Sequence, residues 1–419
     1  MSSQGFWIPM IRLSGFRMSD YQKLSDAGRA EIVSEYMSAL LEITQAVDVP
    51  QIALVAAQPG AGKSKAADIV KEEFASKGGH IHVDADIMRQ KIPVPPGVVY
   101  SSQQTQEDAG KLAVGVRKSA LENSRNVLEE GTFRNAEAVG MSIKAAREAG
   151  LKIEMLAVAT APEESLAGIF KRYEDQYLTK NIQPRFVDED FHNKAFEGFK
   201  NTVATHEAEF DRIRVTNRPG EILYDSLNKQ QNKQASAKDA MEFYQQITPE
   251  RLKQVAQVWD VIQLQADRRS QDPVPNYFDK VKQHREEIYQ RVEEIYRQER
   301  VVANSEGATL QRKSGDTWQD LEKVQAKGMK AGIHMLGTAK PAESGKEYSG
   351  EIVHKDEASV FQKTDQGLIR HKAVQGMAEG KFSSLSEQVE IGQKVSIKRD
   401  GNGLSVKAAD ASLKKMMKR

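Results

Sequence analysis

The stretch QIALVAAQPGAGKS, residues 51–64, joins a short apolar run to a glycine-rich turn. The apolar run, residues 51–57, is too short for a buried helix and is typical of a strand in a parallel sheet. From Ser64 onward apolar residues recur at helical spacing, until Gly78 and Gly79 end the pattern. A strand, a glycine loop and a helix in direct succession are the structural context of a phosphate-binding loop.

This loop has the residue types that phosphate binding requires. Glycine permits tight curvature and close approach of backbone N–H groups to a phosphate, and the helix N-terminus adds its dipole. Lys63 would reach the terminal phosphates, and Ser64 would offer its hydroxyl to Mg²⁺. Ala57 stands where the usual pattern has glycine, and we interpret it as tolerated because Gly60 and Gly62 keep the tightest curvature. The predicted nucleotide-binding residues of the loop are Gln58, Pro59, Gly60, Ala61, Gly62, Lys63 and Ser64, with Ser64 also the metal ligand.

Composition and charge exclude several kinds of site. The 60 Lys and Arg residues balance 59 Asp and Glu residues, so the net charge of +1 gives no general attraction to nucleic acid or membrane. The chain has no cysteine, which excludes disulfides, zinc–thiolate sites and thiol catalysis. Neither a secretory signal nor an 18-residue apolar run is present in the sequence. These features predict a cytoplasmic protein without membrane contact.

Polar residues follow two further predicted strands at the point where each strand ends. Asp84 and Asp86 close one strand, and the segment Glu130–Arg134 follows another. Ligands of open α/β sheets bind beyond the carboxyl ends of the strands, so we expect these side chains near the phosphate loop. His80 and His82 alternate along the first of these strands, and we interpret them as packing or surface residues.

Strands alternate with helices as far as residue 225, which predicts an α/β fold with a parallel sheet flanked by helices. Beyond it the pattern predicts charged helices, a polar linker and about five short strands that we interpret as a small β-barrel-like domain. The predicted division is 1–235 P-loop domain, 236–303 charged helical segment, 304–346 polar linker, 347–408 small β-rich domain and 409–419 basic tail.

Together the loop lysine, the acid at the end of a strand and the arginines of the lid are the residue types that a phosphoryl-transfer enzyme requires. Lys63 would bind the donor phosphates, and Asp86 lies where the base for an acceptor hydroxyl is needed. Arg172 and Arg185, in and after a helix that leads to a lidlike segment, would stabilise charge on the transferred group. We therefore predict Asp86, Lys63, Arg172 and Arg185 as catalytic, with both arginines also binding nucleotide.

These motifs, in this order, resemble the zeta toxins of bacterial toxin–antitoxin systems over about residues 25–228. The resemblance rests on 58–64, on 83–89 with Pro93, on 130–134, on 171–174 with Arg185, and on 217–224. It implies a P-loop kinase that uses ATP (or GTP) and Mg²⁺. The implied acceptor is the sugar 3′-hydroxyl of UDP-N-acetylglucosamine or a related UDP-amino sugar, whose phosphorylation would block use of a cell-wall precursor.

The resemblance also implies roles for individual residues. Asp86 falls on the catalytic base of the family, Lys63 on its loop lysine, and Arg172 and Arg185 on its ATP-side arginines. The family has a substrate-contacting glutamate near Val114, and its absence here leaves the exact UDP-sugar open. A small helical antitoxin of the epsilon type, which blocks the nucleotide site, is the implied partner. The predicted substrate-binding residues are Asp86, Arg89, Glu130, Thr132, Arg134 and Ser142.

The C-terminal strands carry a second resemblance, to a small domain that ends some plasmid-transfer proteins of the KfrB type. It rests on residues 348–353, 361–363, 369–371 and 392–397. It implies a conjugative-plasmid origin and a binding module, whose ligand could be DNA or a conjugation protein.

Two other functions stay open. One is a P-loop kinase that acts on another nucleotide or on a polynucleotide 5′-end, although a polynucleotide is disfavoured by the balanced charge and the lack of an aromatic–basic stripe. The other is a plasmid-maintenance DNA-binding protein that uses the phosphate loop as a switch. In that case Asp86 and the two arginines would be incidental, and DNA affinity would depend steeply on salt.

Overall fold

The computed structural model describes residues 17–18, 20–95, 98–179, 184–378, 381–400 and 403–408. The chain divides into two compact units. The first unit comprises the described residues up to Ser165 together with Val187–Gln245, and the second comprises Leu166–Phe186 together with the described residues from Gln246 onward. None of the described helices combines the length and the apolar character needed to cross a lipid bilayer.

The elements up to residue 245 alternate between strands and helices. They are β1 (Arg17–Met18), α1 (Asp26–Ile43), β2 (Gln51–Ala56), α2 (Ser64–Ala75), β3 (Ile81–Asp84), α3 (Ala85–Gln90), β4 (Val98–Val99), α4 (Ser102–Glu122), β5 (Val127–Gly131), α5 (Ala136–Glu148), β6 (Lys152–Val158), α6 (Pro162–Leu178), α7 (Glu189–His206), β7 (Arg212–Thr216), β8 (Ile222–Asp225) and α8 (Ala237–Gln245). Helix α6 contains the boundary between the two units, which lies between Ser165 and Leu166.

Six strands of the first unit form one sheet in the order β3-β5-β2-β6-β7-β8. Neighbouring strands pair in parallel except β7 and β8, which pair antiparallel as a hairpin. The predicted parallel α/β fold and its closing hairpin are therefore confirmed. Strand β2 is buried from Ile52 to Ala56, which explains its uninterrupted apolar sequence, because parallel strands are covered on both faces.

Strand register places the polar strand ends side by side. Val55 of β2 pairs with Glu130 of β5, and Asp84 of β3 pairs with the same Glu130. The carboxyl ends of these three strands therefore lie at one edge of the sheet, next to the loop that follows β2. This edge is where ligands of open α/β sheets bind.

The elements of the second unit after residue 246 are two long helices followed by strands. They are α9 (Pro249–Ala266), α10 (Tyr277–Arg297), β9 (Glu299–Asn304), β10 (Gly307–Ser314), β11 (Thr317–Gln325), β12 (Gly332–Met335), β13 (Lys340–Pro341), β14 (Glu347–Lys355), β15 (Ser359–Thr364), β16 (Gly367–Lys372), β17 (Val374–Ala378), β18 (Lys381–Ser384), α11 (Leu385–Gln388), β19 (Lys394–Asp400) and β20 (Gly403–Ala408). Two larger sheets result, in the orders β11-β10-β9-β12 and β13-β16-β15-β14-β19-β20.

The five short strands predicted after residue 347 all lie inside β14, β15, β16, β19 and β20. They belong to the six-stranded sheet, whose pairs are antiparallel apart from β13 with β16. The structure differs from the predicted polar linker at 304–346, where β10, β11 and β12 form a second antiparallel sheet with β9. Strand β11 is mostly exposed at the edge of that sheet, so its sequence lacks the apolar alternation that identifies a half-buried strand.

The segment Leu166–Phe186 carries the two predicted lid arginines and belongs to the second unit. Its Phe170 ring centroid lies 5.0 Å from that of Trp259 and 5.5 Å from that of Tyr277. Tyr173 lies 5.0 Å from Tyr277, and all four rings are almost completely buried. The second half of α6 is therefore part of the core that α9 and α10 form, whereas the sequence pattern groups it with the P-loop domain.

An ion pair joins the same helix to the end of α9. Arg269 binds the carboxylate of Glu174 through both terminal nitrogens, at 2.5 and 2.7 Å, and Glu174 is fully buried. Such a bidentate contact fixes the relative orientation of the two side chains and also pairs their charges. The helix that carries Arg172 is thus held by residues that follow position 246.

A buried ionic cluster joins α9 to both sheets of the second unit. The ammonium nitrogen of Lys253 lies 2.9 Å from a carboxylate oxygen of Glu299 and 3.2 Å from one of Asp356. Burial disfavours the ionised form of Asp356, but the neighbouring His354 and Lys253 together hold the pKa of that carboxyl well below its usual range. Burial likewise opposes the charge on Lys253, and Asp356 and Glu299 raise its pKa above the usual value. The charged state of the cluster is therefore the stable one.

We predict that Lys253→Met destabilises the second unit by about 3–5 kcal/mol at pH 7, because it leaves Asp356 buried without its cation. The low pKa of Asp356 contributes stability above its unfolded pKa of about 4, and this contribution is lost as the pH falls below that value. In the variant Asp356 keeps its hydrogen bonds from Tyr296 and from the backbone N–H groups of Ala358 and Ser359 but loses the attraction of Lys253. The difference in the free energy of unfolding between the two proteins should therefore be largest near neutral pH and narrow as the pH falls below about 4.

Urea unfolding followed by tryptophan fluorescence measures this difference, because Trp259 and Trp318 both lie in the second unit. Lys282→Met on the exposed face of α10 is the matched control and should unfold like the wild type. A Lys253→Met protein within about 0.5 kcal/mol of the wild type, the usual range of surface changes, would contradict the prediction.

Candidate active site

The phosphate loop follows the central strand and is shaped by two glycines. Gly60 and Gly62 have φ angles of +78° and +87°, in the left-handed region that glycine adopts without steric cost. A Cβ atom at Gly62 would lie 2.9 Å from the Cγ of Arg218, so a larger residue there would also collide with a neighbouring side chain. The loop therefore needs glycine at position 62 for two independent reasons.

The end of the loop fits an anion. Lys63 occupies the N-cap position of α2, and its side chain, which has no acceptor atom, makes no capping hydrogen bond. By contrast Asp84, Asn135 and Asp188 cap α3, α5 and α7 through side-chain oxygens. No side-chain oxygen of the N-cap residue therefore satisfies the first N–H groups of α2, which is the arrangement that a phosphate group complements.

A buried hydrogen-bond chain anchors the first residue of the loop. Gln58 Nε2 donates to the backbone oxygen of Thr160 at 2.9 Å and to Ser165 Oγ at 3.1 Å. Ser165 Oγ in turn lies 2.8 Å from His192 Nε2. All four residues are fully buried, and burial lowers the pKa of His192, which favours its neutral form. This chain fixes the loop to the end of β6, to α6 and to α7.

The sequence pattern does not identify Ser165 or His192 as partners of the loop. They lie more than 100 residues from Gln58 in the chain, and only the tertiary fold of the first unit brings the three residues together. Gln58 Oε1 is buried and has no hydrogen-bond partner among the described residues. An unsatisfied buried oxygen next to a phosphate loop is a position where a ligand or water donor would be stabilised.

Arg218 lies against the loop from the turn of the closing hairpin. Its guanidinium donates to the backbone oxygen of Glu164 at 3.2 Å, and its side chain approaches Gly62. The same turn brings Gly220 to the start of α2, where a Cβ at Gly220 would lie 3.3 Å from the Cβ of Lys65. The hairpin motif is recognised in the sequence, but its arginine is not predicted as a site residue. The structure adds this positive charge to the loop.

The end of β3 carries the predicted base. Asp84 Oδ1 accepts a hydrogen bond from the backbone N–H of Asp86 at 2.8 Å and so starts α3. Asp86 is half exposed and pairs with the guanidinium of Arg89, which also donates to Gln106 Oε1 at 2.7 Å. Burial raises the pKa of Asp84, and the negative charges of Asp86 and Glu130 add to this effect. The predicted base is thus an accessible carboxylate with its own cation.

The carboxyl end of β5 lies next to the carboxyl end of β3. Glu130 Oε1 lies 2.9 Å from His82 Nε2, and the neighbouring Glu129 pairs with Arg117 at 3.1 Å. Burial alone would raise the pKa of Glu130, but the hydrogen bond and charge of His82, with the charge of Lys63, hold it below the usual value. Glu130 is therefore an ionised group, and it lies close enough to Lys63 for the charge of the lysine to lower its pKa.

The remaining predicted substrate residues follow β5. Thr132 is half-buried and precedes Phe133, whose φ of +43° marks a tight turn. Arg134 is exposed, with its guanidinium 4.5 Å from the ring centre of Phe191. Ser142 lies on α5 and donates to the backbone oxygen of Ala138 at 3.0 Å. Val114, at the position where the resembled family has a glutamate, is 55% exposed on α4.

Both predicted nucleotide-binding arginines belong to the second unit. Arg172 is an exposed residue of α6, and the backbone N–H of Arg185 donates to Gln176 Oε1 at 2.7 Å. Residues 180–183 of the predicted lid lie outside the described residues. The roles of both arginines stay predictions.

Residues 37–229, just under half of the chain, match the Zeta toxin family. The toxin PezT of Streptococcus pneumoniae is 25% identical over 214 residues, which are 49% of this chain and 84% of that protein. The toxin zeta of Enterococcus hirae is 25% identical over 210 residues, 46% of this chain and 70% of that protein. The family match ends at residue 229, so the KfrB-like resemblance of the C-terminal strands stays a prediction.

Two solved structures show a partial likeness. A chain of the PezAT toxin–antitoxin system of Streptococcus pneumoniae superposes with a TM-score of 0.48 and 21% identity, covering 59% of this chain and 98% of that chain. A chain of the AvrRxo1-ORF1:ORF2 structure with ATP gives a TM-score of 0.37 and 13% identity, covering 62% of this chain and 83% of that chain.

We predict that Gly62→Ala destabilises the first unit by about 1–3 kcal/mol, because alanine is strained at this φ and its Cβ meets Arg218. Gly110→Ala on α4 is the matched control, since a Cβ there meets nothing within 4 Å and should stabilise the helix by about 0.5–1 kcal/mol. Thermal unfolding of both variants measures the two effects. An unchanged or raised Tm for Gly62→Ala would show that the loop tolerates a side chain.

Proposed function

We propose that this chain is a kinase of the zeta toxin type. It transfers the γ-phosphoryl group of ATP, or of GTP, to the sugar 3′-hydroxyl of UDP-N-acetylglucosamine or a related UDP-amino sugar. The observation that carries this proposal is the position of Glu130 beside Asp84 at one sheet edge, where Glu130 lies within the field of Lys63 and Asp84 caps the helix that contains Asp86. The match of residues 37–229 to a family of toxin kinases supports the same reaction.

On the donor side the chain supplies positive charge and a fixed loop. Lys63 binds the terminal phosphates, and the first N–H groups of α2 donate to phosphate oxygens. Mg²⁺ held through Ser64 would supply further neutralisation of the transferred group. Because Gln58 is anchored by buried hydrogen bonds, the loop is rigid before the nucleotide binds, and preorganised donors of this kind stabilise a transition state most effectively.

On the acceptor side Asp86 accepts the proton of the sugar hydroxyl as its oxygen attacks the γ-phosphorus. The bond between that phosphorus and the bridging oxygen of the donor breaks, and the nucleoside diphosphate leaves. Arg89 pairs with Asp86 and balances the charge of its carboxylate. Glu130, Thr132, Arg134 and Ser142 are the proposed contacts to the UDP-sugar.

Arg172 and Arg185 are the proposed source of positive charge at the oxygens of the transferred group. Arginines in this role are worth orders of magnitude in rate in phosphoryl-transfer enzymes. The resemblance of residues 171–174 and of Arg185 to the zeta toxin motifs supports this role. The proposed partner is a small helical antitoxin that covers the nucleotide site.

The direct test is incubation of the protein with ATP, Mg²⁺ and a panel of UDP-sugars, with product masses read by mass spectrometry. We expect one added phosphoryl group on UDP-N-acetyl-amino sugars and none on UDP-glucose. Free nucleotides and 5′-hydroxyl oligonucleotides belong in the same panel, because phosphorylation of these alone would favour the alternative kinase. If none of the acceptors in the panel were phosphorylated in the presence of ATP, the proposal would be ruled out.

We predict that Asp86→Asn lowers turnover by about 10² to 10⁴, because an amide cannot take the proton, while ATP affinity is unchanged. Asp68→Asn is the matched control, since Asp68 is 49% exposed against 50% for Asp86 and also pairs with a cation three residues on, Lys71. Turnover numbers and ATP titrations measure the two effects. If Asp86→Asn retained a third of wild-type turnover, Asp86 would not be the base.

We predict that Lys63→Ala removes activity and weakens ATP binding together, because the lysine contacts the donor in both the ground and the transition state. Lys65→Ala, two residues on and exposed, is the control and should keep both properties. Growth of bacteria that express each variant gives a cheap readout of the proposed toxicity. Full toxicity of Lys63→Ala would exclude kinase activity as its cause.

A further inference from the structure

Three potential metal ligands share one face at the edge of the sheet. His82 and Asp84 are two residues apart on β3, so their side chains point to the same face. Asp84 pairs in register with Glu130 on β5, which places the Glu130 side chain on that face as well. The parallel pairing of two strands thus brings an imidazole and two carboxylates together.

The three groups are close enough to share an ion. One ligand atom from each lies within 4.8 Å of the others, and His82 Nε2 is 2.9 Å from Glu130 Oε1. In the described part of the chain this is the one set of three or more such residues that meets that distance. The side chains of His82 and Glu130 are 24% and 15% exposed, so the site is sheltered but reachable from solvent.

Each group can coordinate without loss of its structural role. Asp84 uses only Oδ1 to cap α3, which leaves Oδ2 for a metal. Glu130 has a second oxygen besides the one near His82. In a tetrahedral site the ligand atoms are about 3.4 Å apart when metal–ligand distances are about 2.1 Å, so small side-chain rotations would close the present spacing.

We infer that His82, Asp84 and Glu130 form a binding site for a divalent transition metal ion, with Zn²⁺ or Co²⁺ as the preferred class. Imidazole nitrogen suits these ions, whereas Mg²⁺ selects an all-oxygen shell and retains its waters. The site therefore differs in chemistry from the Mg²⁺ position at Ser64. Its two carboxylates balance the charge of one divalent ion.

The site has a consequence for the reaction, and this step rests on the proposed function. Three protein ligands leave coordination positions open, as in catalytic rather than structural zinc sites. Glu130 is a proposed contact to the acceptor, and a bound ion engages the same carboxylate. A transition metal therefore competes with the UDP-sugar, and the kinase is inhibited by micromolar Zn²⁺ unless the acceptor is present in excess.

Binding is tested directly on the full chain without a histidine tag. Co²⁺ titration followed by visible absorption, and Zn²⁺ equilibrium dialysis in excess Mg²⁺, should both give one site per chain. His82→Ala and Glu130→Gln should each weaken binding by at least about 100-fold, since even loss of an outer-shell partner costs 10–100-fold. Glu130→Gln keeps the side-chain shape, so it stays informative if His82→Ala folds poorly.

His80→Ala is the matched control, because His80 is on the same strand and its ring lies 6.4 Å from that of His82. Retained binding in this variant supports the assigned triad. Absence of a Co²⁺ or Zn²⁺ site in the wild type, or equal loss in His80→Ala and His82→Ala, overturns it and leaves His82 and Glu130 as an ordinary ion pair.

Measuring kinase activity with and without Zn²⁺ distinguishes this inference from the proposed function. Metal binding without any kinase activity would leave the site in place and remove the proposed reaction. Kinase activity that is inhibited by Zn²⁺ equally in wild type and His82→Ala would overturn the competition, because the inhibitory ion would then bind elsewhere.

Discussion

The parallel pairing of β3, β5 and β2 is the constraint on which the site depends. These strands are buried between helices, so their register cannot slip by one residue without turning apolar side chains outward. With the register fixed, Asp84, Glu130 and the first residues of the phosphate loop must end at the same edge. The arrangement of these polar side chains therefore follows from the hydrogen bonding of the sheet and from the residues at the carboxyl ends of its strands.

The second unit is held together in a different way. Its core combines packed aromatic rings with buried ion pairs: Lys253 and Glu299 are both almost completely buried, and Glu174 is fully buried against a partly exposed Arg269. Buried pairs of this kind add little net stability, but losing one partner is costly, so they specify a single arrangement of the helices and strands. The segment that carries Arg172 takes its orientation from this unit.

Features that depend on a few consecutive residues were predictable from the sequence, and contacts between residues far apart in the chain were not. The loop at 58–64 and the strand ends at Asp84 and Glu130 follow from patterns a few residues long, and the structure has both. The partners of Gln58 are not encoded locally, because Ser165 and His192 reach it only through the tertiary fold of the first unit. Strand β11 was missed because an exposed edge strand carries no apolar alternation, and α6 gives no local sign that its second half packs with α9 and α10.

A site that binds phosphates next to carboxylates has to limit the electrostatic repulsion between them. Here each acid near the loop has a specific partner: Asp86 has Arg89, Glu130 has His82, and Asp84 has the N-terminal N–H of α3. The loop itself leads into a helix whose N-cap residue is Lys63 instead of a carboxylate. Each of these acids therefore has a partner that offsets its charge, and no side-chain oxygen caps the N-terminus of α2, so an anion is attracted to the loop.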